Sequence, residues 1–213
     1  MSRKFIVAAV GTANTGKTTF KKDVIARFES LPEYDPFTTN EIDYREKIKA
    51  EGLQINRNGN LRSQKIIFDC LADSVIQAVK DPNVTNFISD RSVIDAYVYT
   101  KYLMEHNPES GITQEDLDEM RSRMEHLVRL YDKIVLFRMK DCREIAVVDD
   151  RFRDTDLAFR TEIDVIFNDV VMDLHYKGLC SYTRSIVGSR EERVDSFIRE
   201  FSMFPPLFAK RRG

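Results

Sequence analysis

Cysteine is scarce in this chain. Only Cys70, Cys142 and Cys180 occur, far apart and without a C-x-x-C pair, which offers neither a disulfide framework nor a thiolate metal site and fits a reducing compartment. Long apolar runs are missing as well, since none approaches the roughly 20 residues needed to cross a bilayer. The N-terminal segment shows no signal-peptide apolar region. The expectation is therefore a cytoplasmic location with no membrane partner. Charge of one sign is not in surplus: a formal net charge of -2 argues against nucleic-acid binding by bulk charge, while leaving a local basic face open. There are no internal repeats and no low-complexity linkers. The 213 residues suit one domain, 1–213, long enough to bury a proper core. What remains is an ordinary globular composition, 42% hydrophobic and 32% charged.

Hydrophobic patterning places the elements. "FIVAAV" (5–10) is a short, wholly apolar run that predicts a strand buried on both faces of a parallel sheet. Phe20, Val24, Ile25 and Phe28 then recur at helical spacing, ending before Pro32. "NFISD" (86–90) and "KIVLFRM" predict two further buried strands, "SYTRSIV" (181–187) a fourth, and "DPFTT" a short one near the first helix. Helices are expected over "RSQKIIFDCLADSVIQAVK", "SVIDAYVYTKYLMEH", "GITQEDLDEMRSRMEHLVRLY", "TDLAFRTEIDVIFNDVVMDLHY" and "REERVDSFIREF". Thr113 and Asp116 form a capping-box start, and "NRNGN" is a turn. Strands alternating with helices predict an α/β, three-layer fold with a parallel sheet flanked by helices.

"GTANTGKT", covering Gly11, Thr12, Ala13, Asn14, Thr15, Gly16, Lys17 and Thr18, matches G-x-x-x-x-G-K-[ST]. Glycines let the backbone turn tightly and present N–H groups to phosphate oxygens, while the helix that follows aims its positive end at them. Lys17 is expected to reach the β- and γ-phosphates of ATP, and the Thr18 hydroxyl to ligate Mg²⁺, with Thr19 among the ATP-binding residues. The bland alternative is a glycine-rich turn, disfavoured by the apolar strand before it and the amphipathic helix after it.

"ISDRS" ends the second buried strand with Asp90, Arg91 and Ser92. Ligands of open parallel sheets gather at the carboxyl ends of the strands. Asp90 can hold the metal or its water there, and Arg91 can address a substrate oxygen; alternatively the triplet is a helix N-cap with a surface arginine. The phosphate loop, the D-R-S triplet and an arginine-rich segment before the penultimate helix together resemble the P-loop nucleoside and nucleotide kinases. That group includes thymidylate kinases, deoxynucleoside kinases and ribosylnicotinamide-kinase-like proteins, with phage-encoded relatives. The resemblance covers most of the chain in order and spacing, and only the phosphate loop is sharply specific. It implies that Arg91 sits on the acceptor's 5′-oxygen or phosphate.

The arginine-rich segment is "VDDRFRDTDLAFR" (148–160). A solvated charged helix is one reading. By the resemblance it is an Arg-rich lid (about 141–160) in which Arg151 and Arg153 carry charge to the moving phosphoryl group, its acids holding the arginines while the lid is open. Arg160 either joins them or pairs with Asp156 at i, i+4.

Acceptor contacts are expected between the first helix and "NFISD". Glu41, with Asp43 and Arg45 nearby, is the candidate acid for an acceptor hydroxyl, or an ordinary first-turn acid. Arg57, Arg62 and Gln64 read a phosphate and a base edge, or form a polar loop. The resemblance further implies that the loop of Val187, Gly188, Ser189 and Arg190 wraps adenine, and Ser189 equally suits a helix N-cap. The basic C-terminus reads as a frayed tail.

Three functions compete. The first is a kinase moving the γ-phosphoryl of ATP-Mg²⁺ to a nucleoside or nucleoside monophosphate. The second is a kinase whose acceptor is a hydroxyl within DNA or RNA, favoured by Arg45, Lys47, Lys49, Arg57, Arg62 and Lys65. The third is a nucleotide-dependent switch, disfavoured by the absence of an N/T-K-x-D motif. The acceptor and the oligomeric state are not legible in the residues.

Overall fold

The computed structural model describes residues 4–40, 42, 44–141, 156–184 and 187–202. The opening apolar run becomes strand β1 (Phe5–Gly11), followed by helix α1 (Lys17–Glu29), strand β2 (Phe37–Thr38) and helices α2 (Tyr44–Ala50) and α3 (Leu61–Lys80). Then come β3 (Asn86–Ser89), α4 (Val93–His106), α5 (Gln114–Leu127), β4 (Lys133–Phe137), α6 (Leu157–Tyr176), β5 (Tyr182–Arg184) and α7 (Arg190–Ser202). Among the described residues the strands form one five-stranded sheet in the order β2-β3-β1-β4-β5. Every pairing is parallel. The expected fold class holds. The fourth predicted strand is described over Tyr182–Arg184, with 185 and 186 outside the described residues, and "NRNGN" contains a 3₁₀ turn over Asn56–Asn58 leading into α3.

Alternation along β1 explains why both faces need helices. Ile6, Ala8 and Val10 point to a core built from α3, α4, α5 and α6. Val7 and Ala9 point the other way, to α1 and α7, where Phe20, Phe28, Phe37, Phe197 and Phe201 pack against one another. Their rings meet largely edge to face, as aromatic quadrupoles prefer. Capping sharpens the helix starts. Asn60 with Ser63, Ser92 with Asp95, and Thr113 with Asp116 each form a reciprocal box that satisfies donors the first turn would leave unpaired.

Winding reverses at β1: the chain moves through β2 and β3 on one side of it, then β4 and β5 on the other. The carboxyl ends of β1 and β3 therefore open onto a crevice, the place where such sheets bind ligands.

Candidate functional site: a glycine-lysine loop and a polar cleft

Gly11 closes β1 in register with Phe137 of β4. Its φ is +136°, and a Cβ there would lie 2.3 Å from the Phe137 carbonyl oxygen, so only glycine fits. The loop then folds on itself. Asn14 takes a left-handed backbone at φ 58°, Thr15 Oγ1 donates to the Thr12 carbonyl at 2.9 Å, and Gly16 turns into α1 at φ 87°. No side chain caps α1, and no acid stands in its first turn. The N–H groups and positive dipole end are thus left for an anion.

Lys17 is buried at the base of this cradle, its Nζ donating to the carbonyls of Gly11 and Thr12, both at 2.6 Å. Thr18 and Thr19 are exposed on the same turn. Across the crevice, β3 ends at Ser89, whose buried Oγ has no hydrogen-bond partner, and Asp90 follows half-buried.

Arg91 and Asp95 connect this cradle to a cleft of about 400 Å³, its open mouth included. Tyr44, Arg45, Gln64, Arg91, Asp95 and Tyr99 are among its lining residues. Asp95 is 1% exposed. Its Oδ2 accepts from the Ser92 N–H at 2.8 Å, closing the capping box, and its Oδ1 lies 3.9 Å from Arg91 Nη1 with no hydrogen bond. Burial pushes the Asp95 carboxyl up to about 6, against the pull of the Arg91 and Lys17 cations. Arg91 is held above the ordinary guanidinium range by Tyr44 first, then by Asp95, Tyr99 and Asp90, against the cost of burial. Tyr99 is raised by burial, against the pull of the Arg91 cation.

Three further arginines hold the surroundings together. Arg138, just after β4, donates through Nε and Nη2 to Asp164 of α6 at 2.9 and 2.8 Å, and also bonds Asn168. Arg160 of α6 donates through Nη2 to the Ala13 carbonyl of the phosphate loop at 3.1 Å. Arg193 of α7 donates to three carbonyls: Gly188 at 2.9 Å, Asp141 at 3.3 Å and Thr15 at 3.4 Å.

Among the residues read as candidates from sequence, Arg45, Gln64 and Arg91 line one cleft, while Gly11–Thr19 run on from the end of β1 and Asp90 follows its parallel neighbour β3. Arg57 pairs with Asp156 at 3.4 Å and lies over the Phe159 ring. Arg62 is bound by Glu51 on an exposed face, through Nε at 2.9 Å and Nη2 at 2.7 Å. Gly188 takes φ +107° and Ser189 exchanges hydrogen bonds with Glu192, as an N-cap would, while Arg190 bonds Asp23 of α1. Val187 is exposed beside them. The i, i+4 partnership of Arg160 with Asp156 is not formed by the side chains: the guanidinium turns to the loop instead, and Asp156 caps the Phe159 N–H. Glu41, Asp43, Arg151 and Arg153 lie outside the described residues, as does the lid range except for 141 and 156–160. Asp95, Tyr99 and Arg193 went unread. The Ser92-x-x-Asp95 spacing signals a cap, and nothing in the sequence says that one carboxylate oxygen is left over.

No family model and no curated protein matches the chain. Solved structures do match its fold. A thymidylate kinase from Candida albicans superposes with a TM-score of 0.67 at 11% identity, over 96% of this chain and 93% of that one. A deoxyadenosine kinase from M. mycoides, with products dCMP and dCDP bound, gives 0.66 at 15% identity over 93% and 100%. NadR protein in complex with NAD and AMP-PNP gives 0.63 at 16% identity, over 94% of this chain and 50% of that one. This chain spans about half the length of the NadR chains it matches. The chain shares its fold with these structures. No described helix is long and apolar enough to cross a membrane.

Proposed function

We propose that this chain is an ATP-dependent phosphotransferase that moves the γ-phosphoryl group of ATP to a nucleoside or nucleoside monophosphate. One observation carries the reading. An uncapped helix end with Lys17 at its base lies near a separate polar cleft lined by Tyr44, Arg45, Gln64, Arg91 and Asp95. A switch needs the first of these features and has no use for the second.

On this reading Lys17 exchanges its contacts with Gly11 and Thr12 for β- and γ-phosphate oxygens, and the N–H groups of 12–18 cradle the chain of phosphates. Gly188, Ser189 and Arg190 border the base. Arg91 orients the acceptor oxygen, which forms a bond to the γ-phosphorus as the bridging bond to the β-phosphate breaks and ADP departs; a hydroxyl acceptor gives its proton to a carboxylate, the role assigned to Glu41. Arg160 keeps α6 on the phosphate loop, and the arginines at 151 and 153 serve as lid cations. The residues fit a magnesium ion carried in with the nucleotide: Thr18 offers an exposed hydroxyl beside the loop, Asp90 a carboxylate at the strand end, and the orphaned Ser89 Oγ adds a polar wall. Such an ion would supply charge neutralisation for the nucleotide's phosphates.

The cations that suggested a polymeric acceptor are partly neutralised: Arg57, Arg62 and Lys65 face Asp156, Glu51 and Asp116. Label transfer from γ-labelled ATP to a panel of nucleosides and 5′-monophosphates tests the proposal. Transfer to at least one acceptor, lowered on the order of 100-fold or more by Lys17→Ala, is expected. Transfer to none across the full panel overturns it.

A further inference from the structure

Asn56 and Arg57 are neighbours on the turn between α2 and α3, yet they reach different places. Asn56 lines the cleft, on a left-handed backbone at φ 56°. Arg57 reaches the start of α6. Its Nη1 donates to Asp156 Oδ2 at 3.4 Å, and its guanidinium lies over the Phe159 ring, 5.7 Å from the centroid. The next residue of α6, Arg160, holds the Ala13 carbonyl of the phosphate loop at 3.1 Å. We propose, resting on the reading of 12–18 as the nucleotide cradle, that Arg57 is a positioning residue for nucleotide binding. It fixes the first turn of α6 and, through Arg160, the shape of the phosphate loop.

The loop needs such support. Asn14 has φ 58°, a conformation that costs energy for a residue with a side chain. Its amide belongs to the same peptide group as the Ala13 carbonyl, and in a trans peptide the C=O and N–H point opposite ways. A donor that pins the Ala13 carbonyl therefore also fixes where the Asn14 N–H points, and holds the left-handed turn against relaxation. Arg160 is buried, and its Nε has no hydrogen-bond partner, so its aim follows the position of the α6 backbone.

Arg57 grips the two residues that set that backbone. Asp156 Oδ1 caps the Phe159 N–H at 2.8 Å, and the Arg160 N–H returns to the Asp156 carbonyl at 3.1 Å. Arg57 engages the first residue through Oδ2 and the second through its ring face. The turn is itself anchored, since Asn107 Nδ2 at the end of α4 donates to the Arg57 carbonyl at 3.3 Å. Tyr102 of α4 meets Phe159 edge to face at 4.8 Å. Asp156 and Arg57 are both half-exposed, and ion pairs and cation–ring contacts of that kind are weak. Arg57 accordingly tunes nucleotide affinity by a modest factor.

Calorimetric titration with AMP-PNP and magnesium tests the inference and needs no acceptor. Arg57→Ala should weaken AMP-PNP about threefold to tenfold, and Arg57→Lys should restore part of the loss. Asp156→Asn keeps an oxygen for the Phe159 cap while removing the carboxylate, and should weaken AMP-PNP to a similar extent. Arg123 supplies a control away from α6: it lies 4.7 Å over the Phe68 ring and pairs with Asp69 at 2.7 Å. Arg123→Ala should leave AMP-PNP affinity unchanged. Arg160→Ala should weaken AMP-PNP, and adding Arg57→Ala to it should weaken binding no further, because both act along one path. In the nucleotide-free chain, amides 13–16 should exchange faster in Arg57→Ala than in the parent. Unchanged AMP-PNP affinity in folded Arg57→Ala and Asp156→Asn overturns the inference, as do losses that simply add in the double variant; the phosphotransferase reading survives both. Failure of the parent chain to bind AMP-PNP overturns that reading and the inference together, whereas binding without transfer to any acceptor sinks the transfer alone.

Discussion

Arg193 on α7 donates through Nη1 to the carbonyl of Thr15 in the phosphate loop at 3.4 Å, across 178 positions of chain. The same guanidinium reaches Gly188 before α7 and Asp141 after β4. One buried cation thus ties the phosphate loop to two segments that flank it.

Removing that cation should loosen the nucleotide end of the site. Arg193→Ala leaves three carbonyls short of a donor, and a loss of about 2–4 kcal/mol is expected in urea unfolding. KM for ATP should rise by roughly tenfold while kcat changes less, because the arginine positions the loop and touches no reacting atom. Arg193→Lys should recover part of the KM and little of the stability, since an ammonium cannot span three acceptors.

The ion pair between Arg138 and Asp164 is largely enclosed, with side chains 11% and 10% exposed. Asp164 also accepts from the Met139 N–H at 2.9 Å. Asp164→Ala should cost about 3–5 kcal/mol, because it strands a buried guanidinium. Arg138→Met combined with Asp164→Leu should unfold later than the single variant, which chemical denaturation would register as a higher midpoint.

Gly11→Ala meets two obstacles together. The new methyl group would overlap the Phe137 carbonyl, and the backbone angle is one that alanine resists. A destabilisation of about 2–4 kcal/mol is expected. ATP binding should weaken alongside it, since β1 must move away from β4 to make room. Thermal melting with and without AMP-PNP measures both effects.

Asp95 gives the fold a pH signature. Burial raises its carboxyl in the folded chain from an ordinary 3.8 to about 6, so the unfolded state loses its proton first. This group therefore subtracts nothing at pH values below the unfolded value. Its penalty grows as pH climbs and is complete once pH exceeds the folded value. Asp95→Asn should lift stability at pH 8 relative to pH 5, on the order of 1–3 kcal/mol in difference. Identical melting shifts at both pH values would contradict a buried, charge-averse Asp95.

Legibility in the sequence followed locality. The run at 5–10, the G-x-x-x-x-G-K-T loop, the Thr113–Asp116 box and the helical spacing in α3, α4, α6 and α7 all express interactions within a few residues, and each element stands where those signals put it. Short β2 is harder to bound, because parallel strands are defined by neighbours and not by their own residues. Arg57 and Arg62 show the limit at the site. Both are cations near the acceptor region in sequence, yet Asp156 and Glu51 engage them, and those partners come from the fold.

By itself, then, the residue order determined that a glycine-lysine loop leads from a buried strand into a helix, that a parallel sheet carries it, and that helices cover both faces. These outcomes rest on backbone geometry and on the period of apolar side chains. Only the tertiary structure decided that Asp95 keeps one oxygen without a donor, that Arg160 turns from its own helix to the loop, and that Arg193 joins three distant carbonyls. Each depends on which polar atoms remain unmatched after α3, α4, α6 and α7 close on the sheet, and desolvation at that closure gives an unmatched atom its energetic weight.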